Sequence, residues 1–153
     1  MERSQLGHQN YRNINKMKKL FCLILFGLFC NVASATPVMV TRIVDGDTFK
    51  ATVLLADGIE VMSVGVRLRN VDTPELHGEC DYEIERAEMA KQRLSELIPV
   101  GSVIEITNVK NDKYPGRIDA NVFDEHNRDV GLILIRENLG RPYSGGKRKS
   151  WCD

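Results

Sequence analysis

Three strand-length segments joined by very short turns set the first limit on this fold. Val38 to Val44 is apolar and β-branched, and Asp45-Gly46-Asp47 follows it as a turn. From Thr48 to Leu55 the chain alternates Phe49, Ala51 and Val53 with Thr48, Lys50 and Thr52, the period of two of a half-buried strand. Ala56-Asp57-Gly58 is a second hairpin-type turn, and Ile59 to Val71 is a third strand, long enough to bend. Strands connected this tightly pair antiparallel with their neighbours, so the segment predicts a meander.

The period then changes. Ile84, Ala87, Ala90, Leu94 and Leu97 step by three or four, which marks one face of a helix. Asp81, Glu83 and Glu85 put negative charge in its first turn, and Pro99 and Gly101 end it. Val103 to Val109 resumes strand character, Arg117 to Phe123 is a fifth strand, and Val130 to Leu139 reads as an apolar helix stopped by Gly140. Strands, helix, strands and helix in this order predict a β-rich α+β fold. The expected architecture is a five-stranded OB-type Greek-key barrel with two or three helices.

The N-terminus follows different rules. Lys16, Lys18 and Lys19 precede an apolar run from Leu20 to Val32, and Ala33-Ser34-Ala35 supplies small residues for cleavage. This is the pattern of a signal peptide. The run is short for a membrane span, so a retained anchor is the weaker reading. Residues 1–35 are therefore expected to be leader and signal peptide, with Met17 a more conventional start than Met1, and residues 36–153 the folded domain. Such a domain is expected in the periplasm or secreted, as a monomer without stable membrane association.

Export would change the charge balance. The whole chain has 21 basic and 21 acidic residues. Without the leader, 16 basic and 20 acidic residues remain, a formal net charge of −4. Any attraction to a polyanion must then be local. Gly145-Gly146-Lys147-Arg148-Lys149 and the scattered arginines are the candidates, against the plainer reading of a solvated tail. Cys80 and Cys152 are the cysteines left, an even pair in an oxidising compartment. They are expected either to form a disulfide that pins the C-terminus or to remain two separate thiols. Trp151, next to Cys152, is expected to cover the barrel or the bridge.

Three constellations carry chemistry: Asp45-Gly46-Asp47-Thr48, then Arg67 to Glu75 with Asp72-Thr73-Pro74-Glu75 at its end, then Asp112-Lys113-Tyr114-Pro115-Gly116-Arg117. Alone, each is a turn, a helix cap or surface charge. Together, Asp47 and Asp72 come from separate strands, with Glu75 just beyond, and supply hard oxygen ligands for Ca²⁺ or a similar cation. Arg67 and Arg117 could meet over that site to hold phosphate oxygens and stabilise charge as it grows. Arginine does not give up its proton, so a base must be found elsewhere, in a carboxylate or in water activated by the cation.

In order and spacing, Val44-Asp45-Gly46-Asp47-Thr48, Val66-Arg67-Leu68 with Val71-Asp72-Thr73-Pro74-Glu75, and Lys113-Tyr114 with Gly116-Arg117 resemble the signature blocks of the staphylococcal nuclease family. The resemblance spans nearly all of Thr36 to Gly140, and the Trp-Cys ending resembles secreted bacterial members. It implies a Ca²⁺-dependent nuclease that acts on DNA or RNA and breaks the P–O5′ bond to leave 3′-phosphate ends. By the same resemblance Asp47, Asp72 and the Thr73 carbonyl are metal ligands, and Asp45 is a carboxylate behind them. Glu75 orients or deprotonates the attacking water, and Arg67 and Arg117 bind the scissile phosphate. Lys113 and Tyr114 lie near the neighbouring phosphate, and Tyr143 is a candidate substrate-side tyrosine.

Two departures stand out. Pro115 is inserted between Tyr114 and Gly116, which threatens to displace Arg117 by a residue's length. Asp119 puts an additional acid beside the site. The competing class is an OB-type nucleic-acid-binding module with weak or no catalysis. Such a module would be expected to lack at least one of Asp47, Arg67, Asp72, Glu75 and Arg117, and all five are present.

Overall fold

Alternation carries the barrel. The structure, a computed structural model, describes residues 34–54 and 60–152. The leader up to residue 33 and the Ala56-Asp57-Gly58 turn lie outside the described residues. In β1 (Thr36–Ile43) Val38 and Val40 are buried, and in β2 (Thr48–Leu54) Phe49 and Ala51 are. β3 (Glu60–Leu68) contributes Val64, Val66 and Leu68. A two-residue strand, β4 (Val71–Asp72), and the helix α1 (Asp81–Leu97) follow. Ile104 and Ile106 come from β5 (Val103–Asn111), and Ala120 and Val122 from β6 (Arg117–Phe123). The chain ends with α2 (Val130–Arg136) and β7 (Arg141–Pro142). Phe49 has the largest fully buried side chain, and its burial alone contributes about 2–3 kcal/mol.

The inward faces close on one another as a barrel in the order β1-β2-β3-β6-β5. Neighbours pair antiparallel, except that β3 and β6 run parallel with Gly65 opposite Arg117 and Leu68 opposite Ala120. A parallel pair needs a long crossover. Here α1 and β5 lie in the connection between β3 and β6. This is the OB-type barrel that the pattern predicts. Among the described residues no helix is long and apolar enough to cross a membrane.

Two boundaries and one buried position differ from expectation for local reasons. The third strand does not run to Val71. It stops at Leu68 because Asn70 adopts φ 61°, a left-handed conformation that no strand continues through. The chain then turns into β4, which leaves the barrel and pairs with β7, Val71 opposite Pro142 and Asp72 opposite Arg141. The last helix ends at Arg136, with Asn138 left-handed at φ 59° and the Leu139 and Gly140 N–H groups donating back to the Leu134 carbonyl. On α1, Ile84 is 37% exposed and Glu83 is buried among Ala87, Ala90, Leu94 and Leu97. Glu83 accepts from the Glu75 and Glu79 backbone N–H groups, at 3.2 and 3.0 Å. The loop before the helix therefore draws Glu83 inward as an acceptor, and Ile84, which the helical pattern placed on the buried face, lies at its edge.

Gly46 joins the first two chemical blocks. A Cβ there would lie 2.7 Å from the Ala90 Cβ and 2.8 Å from the Thr73 hydroxyl, closer than atoms pack. Only glycine lets the Asp45–Thr48 turn rest against both α1 and Thr73. Cys80 and Cys152 are bridged, with Cα atoms 5.9 Å apart across 72 positions of sequence. Closing a loop of that length restricts the unfolded chain by roughly 4 kcal/mol in the loop-entropy model. Reduction should therefore lower the melting temperature by roughly 10 °C or more, read by circular dichroism with and without reductant. An unchanged midpoint would show that the bridge contributes nothing to stability.

Candidate active site

The Asp45–Thr48 turn organises the first carboxylate. The Asp47 N–H donates to Asp45 Oδ1 at 3.0 Å, so Asp45 fixes the turn from behind. The Asp47 side chain points inward and is nearly fully buried. The Thr48 hydroxyl donates to its Oδ1 at 3.0 Å, and Arg67 Nη2 donates to its Oδ2 at 2.9 Å. Arg67 reaches it because Thr48 and Arg67 are directly opposed between β2 and β3. Burial pushes the Asp47 carboxyl up to about 6, and the Arg67 charge only partly offsets it.

Asp72 is fully buried, and its charge is met by two arginines. Arg141, its partner across β4 and β7, donates from Nε and Nη2 to Oδ2 at 3.0 and 2.9 Å. Arg148 Nε lies 2.8 Å from Oδ1, although no directed hydrogen bond reaches that oxygen. Arg148 also forms an ion pair with Glu75. Glu75 sits at the mouth of the site, its side chain about half exposed. Its backbone N–H is held by buried Glu83.

Arg117 opens β6. The turn around Pro115 closes with Gly116 at φ 76° and the Arg117 N–H donating to the Tyr114 carbonyl at 3.2 Å. The guanidinium grips Asp112 as a fork, Nε to Oδ2 at 3.0 Å and Nη2 to Oδ1 at 3.2 Å, and lies 4.6 Å from the Tyr114 ring centre. Burial opposes the Asp112 charge, but the Tyr114 N–H and the Arg117 fork outweigh it and hold that carboxyl below its ordinary value. Asp119, opposite Arg67 between β3 and β6, is pushed the other way by burial and then by the neighbouring Asp112 charge.

One cleft of about 580 Å³ collects most of these groups. Asp45, Asp47, Arg67, Glu75, Lys113, Tyr114, Arg117 and Tyr143 line it, along with Asp112, Asp119 and Arg148. Tyr143 is 5.7 Å from the Arg67 guanidinium and donates its hydroxyl to the Gly146 carbonyl. Asp72 and Thr73 are buried next to the cleft rather than lining it. Arg69 stands apart: it donates to the Asn108 carbonyl on another part of the surface.

Sequence reasoning did not assign Arg141, Arg148, Asp112 or Glu83 their parts. One signal was available for Arg148. A Cys80–Cys152 bridge ties the tail to the residues that follow Asp72 and Glu75, so a basic residue four positions before Cys152 is within reach of those carboxylates. No comparable signal marks Arg141, whose role depends on the short β4–β7 pairing.

In kind, the donors suit a hard divalent cation. Asp47 and Asp72 offer anionic oxygens, the Thr73 carbonyl is adjacent, and Asp72 Oδ1 is buried with no directed donor. Among the described residues no three His, Cys, Asp or Glu side chains converge on one point, and the charge facing these carboxylates is guanidinium. In comparisons with known proteins, the chain matches no family model and no curated sequence.

Asp47 gives the site a pH signature. Its folded-state value, about 6 against 3.8, means the fold favours the protonated form. That contribution is complete below pH 3.8 and is lost as pH rises through about 6. Between pH 4 and 7 the wild type should lose up to about 3 kcal/mol relative to Asp47→Asn. Denaturant melts of both proteins across this range test it, and parallel curves would remove Asp47 as a titrating group.

Proposed function

We propose that the protein is an exported, Ca²⁺-dependent nuclease of the staphylococcal type that hydrolyses phosphodiester bonds of DNA, RNA or both to 3′-phosphate products. The observation that carries this reading is the meeting of Asp47, Arg67, Glu75 and Arg117 at one cleft, with Asp72 buried beside it. These residues come from distant parts of the chain, and a surface of unrelated charges would have no reason to gather them.

Each group has a role suited to its surroundings. Arg67 and Arg117 bind non-bridging phosphate oxygens and stabilise the charge that grows on them during in-line attack. Both guanidiniums are already oriented by carboxylate partners, so little side-chain freedom is lost when phosphate arrives. Glu75, half exposed at the mouth, can take the proton from a water attacking phosphorus, while buried Asp47 and Asp72 cannot be reached as easily. The P–O5′ bond breaks, the 5′ oxygen takes a proton from solvent water and leaves as a hydroxyl, and phosphate stays on the 3′ side. Asp47, Asp72 and the Thr73 carbonyl would hold Ca²⁺, which supplies Lewis-acid neutralisation of the phosphate charge. Lys113, Tyr114 and Tyr143 line the same cleft, where they would contact flanking nucleotides.

The purified protein should degrade single-stranded DNA and RNA with added Ca²⁺ and stop on chelation. Glu75→Gln should lower turnover by about 10²-fold or more. Its melting temperature should stay within about 2 °C of wild type, because Glu75 is not buried. Oligonucleotide binding without hydrolysis, across all divalent ions tried, would instead identify a binding module.

A further inference from the structure

Asp47, Asp72 and Glu75 are faced by three arginines that are held very differently. Arg67 bonds Asp47 and also points to the Val71 carbonyl and the Tyr143 ring. Arg141 bonds Asp72 and also donates to the Ser150 and Lys149 carbonyls, with its guanidinium 4.1 Å from the Trp151 ring centre. Among the described contacts, Arg148 has Asp72 and Glu75 alone. Its side chain is 37% exposed and lines the cleft. Of the three, Arg148 has the fewest anchors and the freest path outward.

Its position is nevertheless built in. The stretch from Gly145 to Ser150 spans the edge of the cleft, with the Gly146 carbonyl tied to the Tyr143 hydroxyl at one end and Cys152 bridged to Cys80 at the other. The Arg141 guanidinium grips this strap through two of its carbonyls. The strap thus brings a second permanent positive charge to a fully buried aspartate whose other oxygen Arg141 already holds. That charge lies against Asp72 Oδ1, an oxygen that no directed hydrogen bond reaches and that belongs to one of the carboxylates proposed above to hold the cation.

We infer that Arg148 is a resident counter-cation of these carboxylates, and that a divalent cation binds by displacing its guanidinium from Asp72 and Glu75. This rests on the metal assignment proposed above and goes further, because it makes the C-terminal strap a determinant of metal affinity. A ligand that must displace a resident charge binds more weakly by the population of the occupied state. Removing Arg148 removes that competition.

Calorimetric titration of the full-length protein with CaCl₂ tests this without reference to activity. Arg148→Ala and Arg148→Gln should each bind Ca²⁺ about tenfold more tightly than wild type, within the range usual for coupling between two binding events. Lys147→Ala, which removes a neighbouring charge of the same strap, should change affinity less than about twofold, because exposed charges are screened. The glutamine variant preserves most of the side-chain bulk, so agreement between the two Arg148 variants separates charge from packing. Equal affinity in the wild type and both Arg148 variants, or weaker binding in those variants, overturns the inference and leaves the metal assignment standing. No Ca²⁺ binding by any of the four proteins overturns both.

Discussion

A carboxylate with no exposure to water needs a positive partner, and Asp72 imposes that requirement on the rest of the molecule. β4 exists only as a two-residue pairing, and its partner β7 places Arg141 directly across from Asp72. The same guanidinium then donates to two carbonyls of the C-terminal strap and stacks on Trp151. Trp151 thus serves the buried charge through Arg141. The disulfide at Cys152 holds the far end of this arrangement. Segments that look peripheral in sequence are in this way drawn toward one buried negative charge.

The barrel supplies the precision. Register between β2 and β3 sets Thr48 against Arg67, and register between β3 and β6 sets Arg67 against Asp119. A slip of one residue would turn every one of these side chains to the other face. Gly46 then allows the Asp47 turn to rest on Thr73, one residue past Asp72. Core and site are therefore coupled: the alternation that buries Phe49 and Val66 also aims Asp47 and Arg67 at one another.

The barrel strands were legible in sequence because a period of two is a local property, visible in Phe49-Ala51-Val53 without knowledge of any partner. The chemical blocks were legible because each is contiguous. What escaped was non-local. Asn70 breaks the third strand by a single backbone angle. Glu83 is buried because backbone N–H groups of a preceding loop require an acceptor, which helical periodicity does not report. Asp112 was visible as part of a turn, but its grip on Arg117 depends on how that turn folds back on the start of β6. Arg141 and Arg148 become partners of Asp72 only after the tail folds back.

The pairing of every cleft arginine bears on how a domain of net negative charge could handle a polyanion under the proposed reading. Unpaired arginines would raise the local potential, yet they would also be mobile, and their ordering would weaken binding. Here Arg67 and Arg117 are fixed by Asp47 and Asp112, and the cleft nears electrical balance. Phosphate would then exchange with a carboxylate as the acceptor of the same fork, a change of partner rather than the creation of a new contact. Beside these arginines, burial and then the Asp112 charge raise the Asp119 carboxyl above its ordinary value. Discrimination would therefore lie in geometry more than in net charge: a tetrahedral phosphate spanning two arginines satisfies both at once, which no single carboxylate of the cleft does.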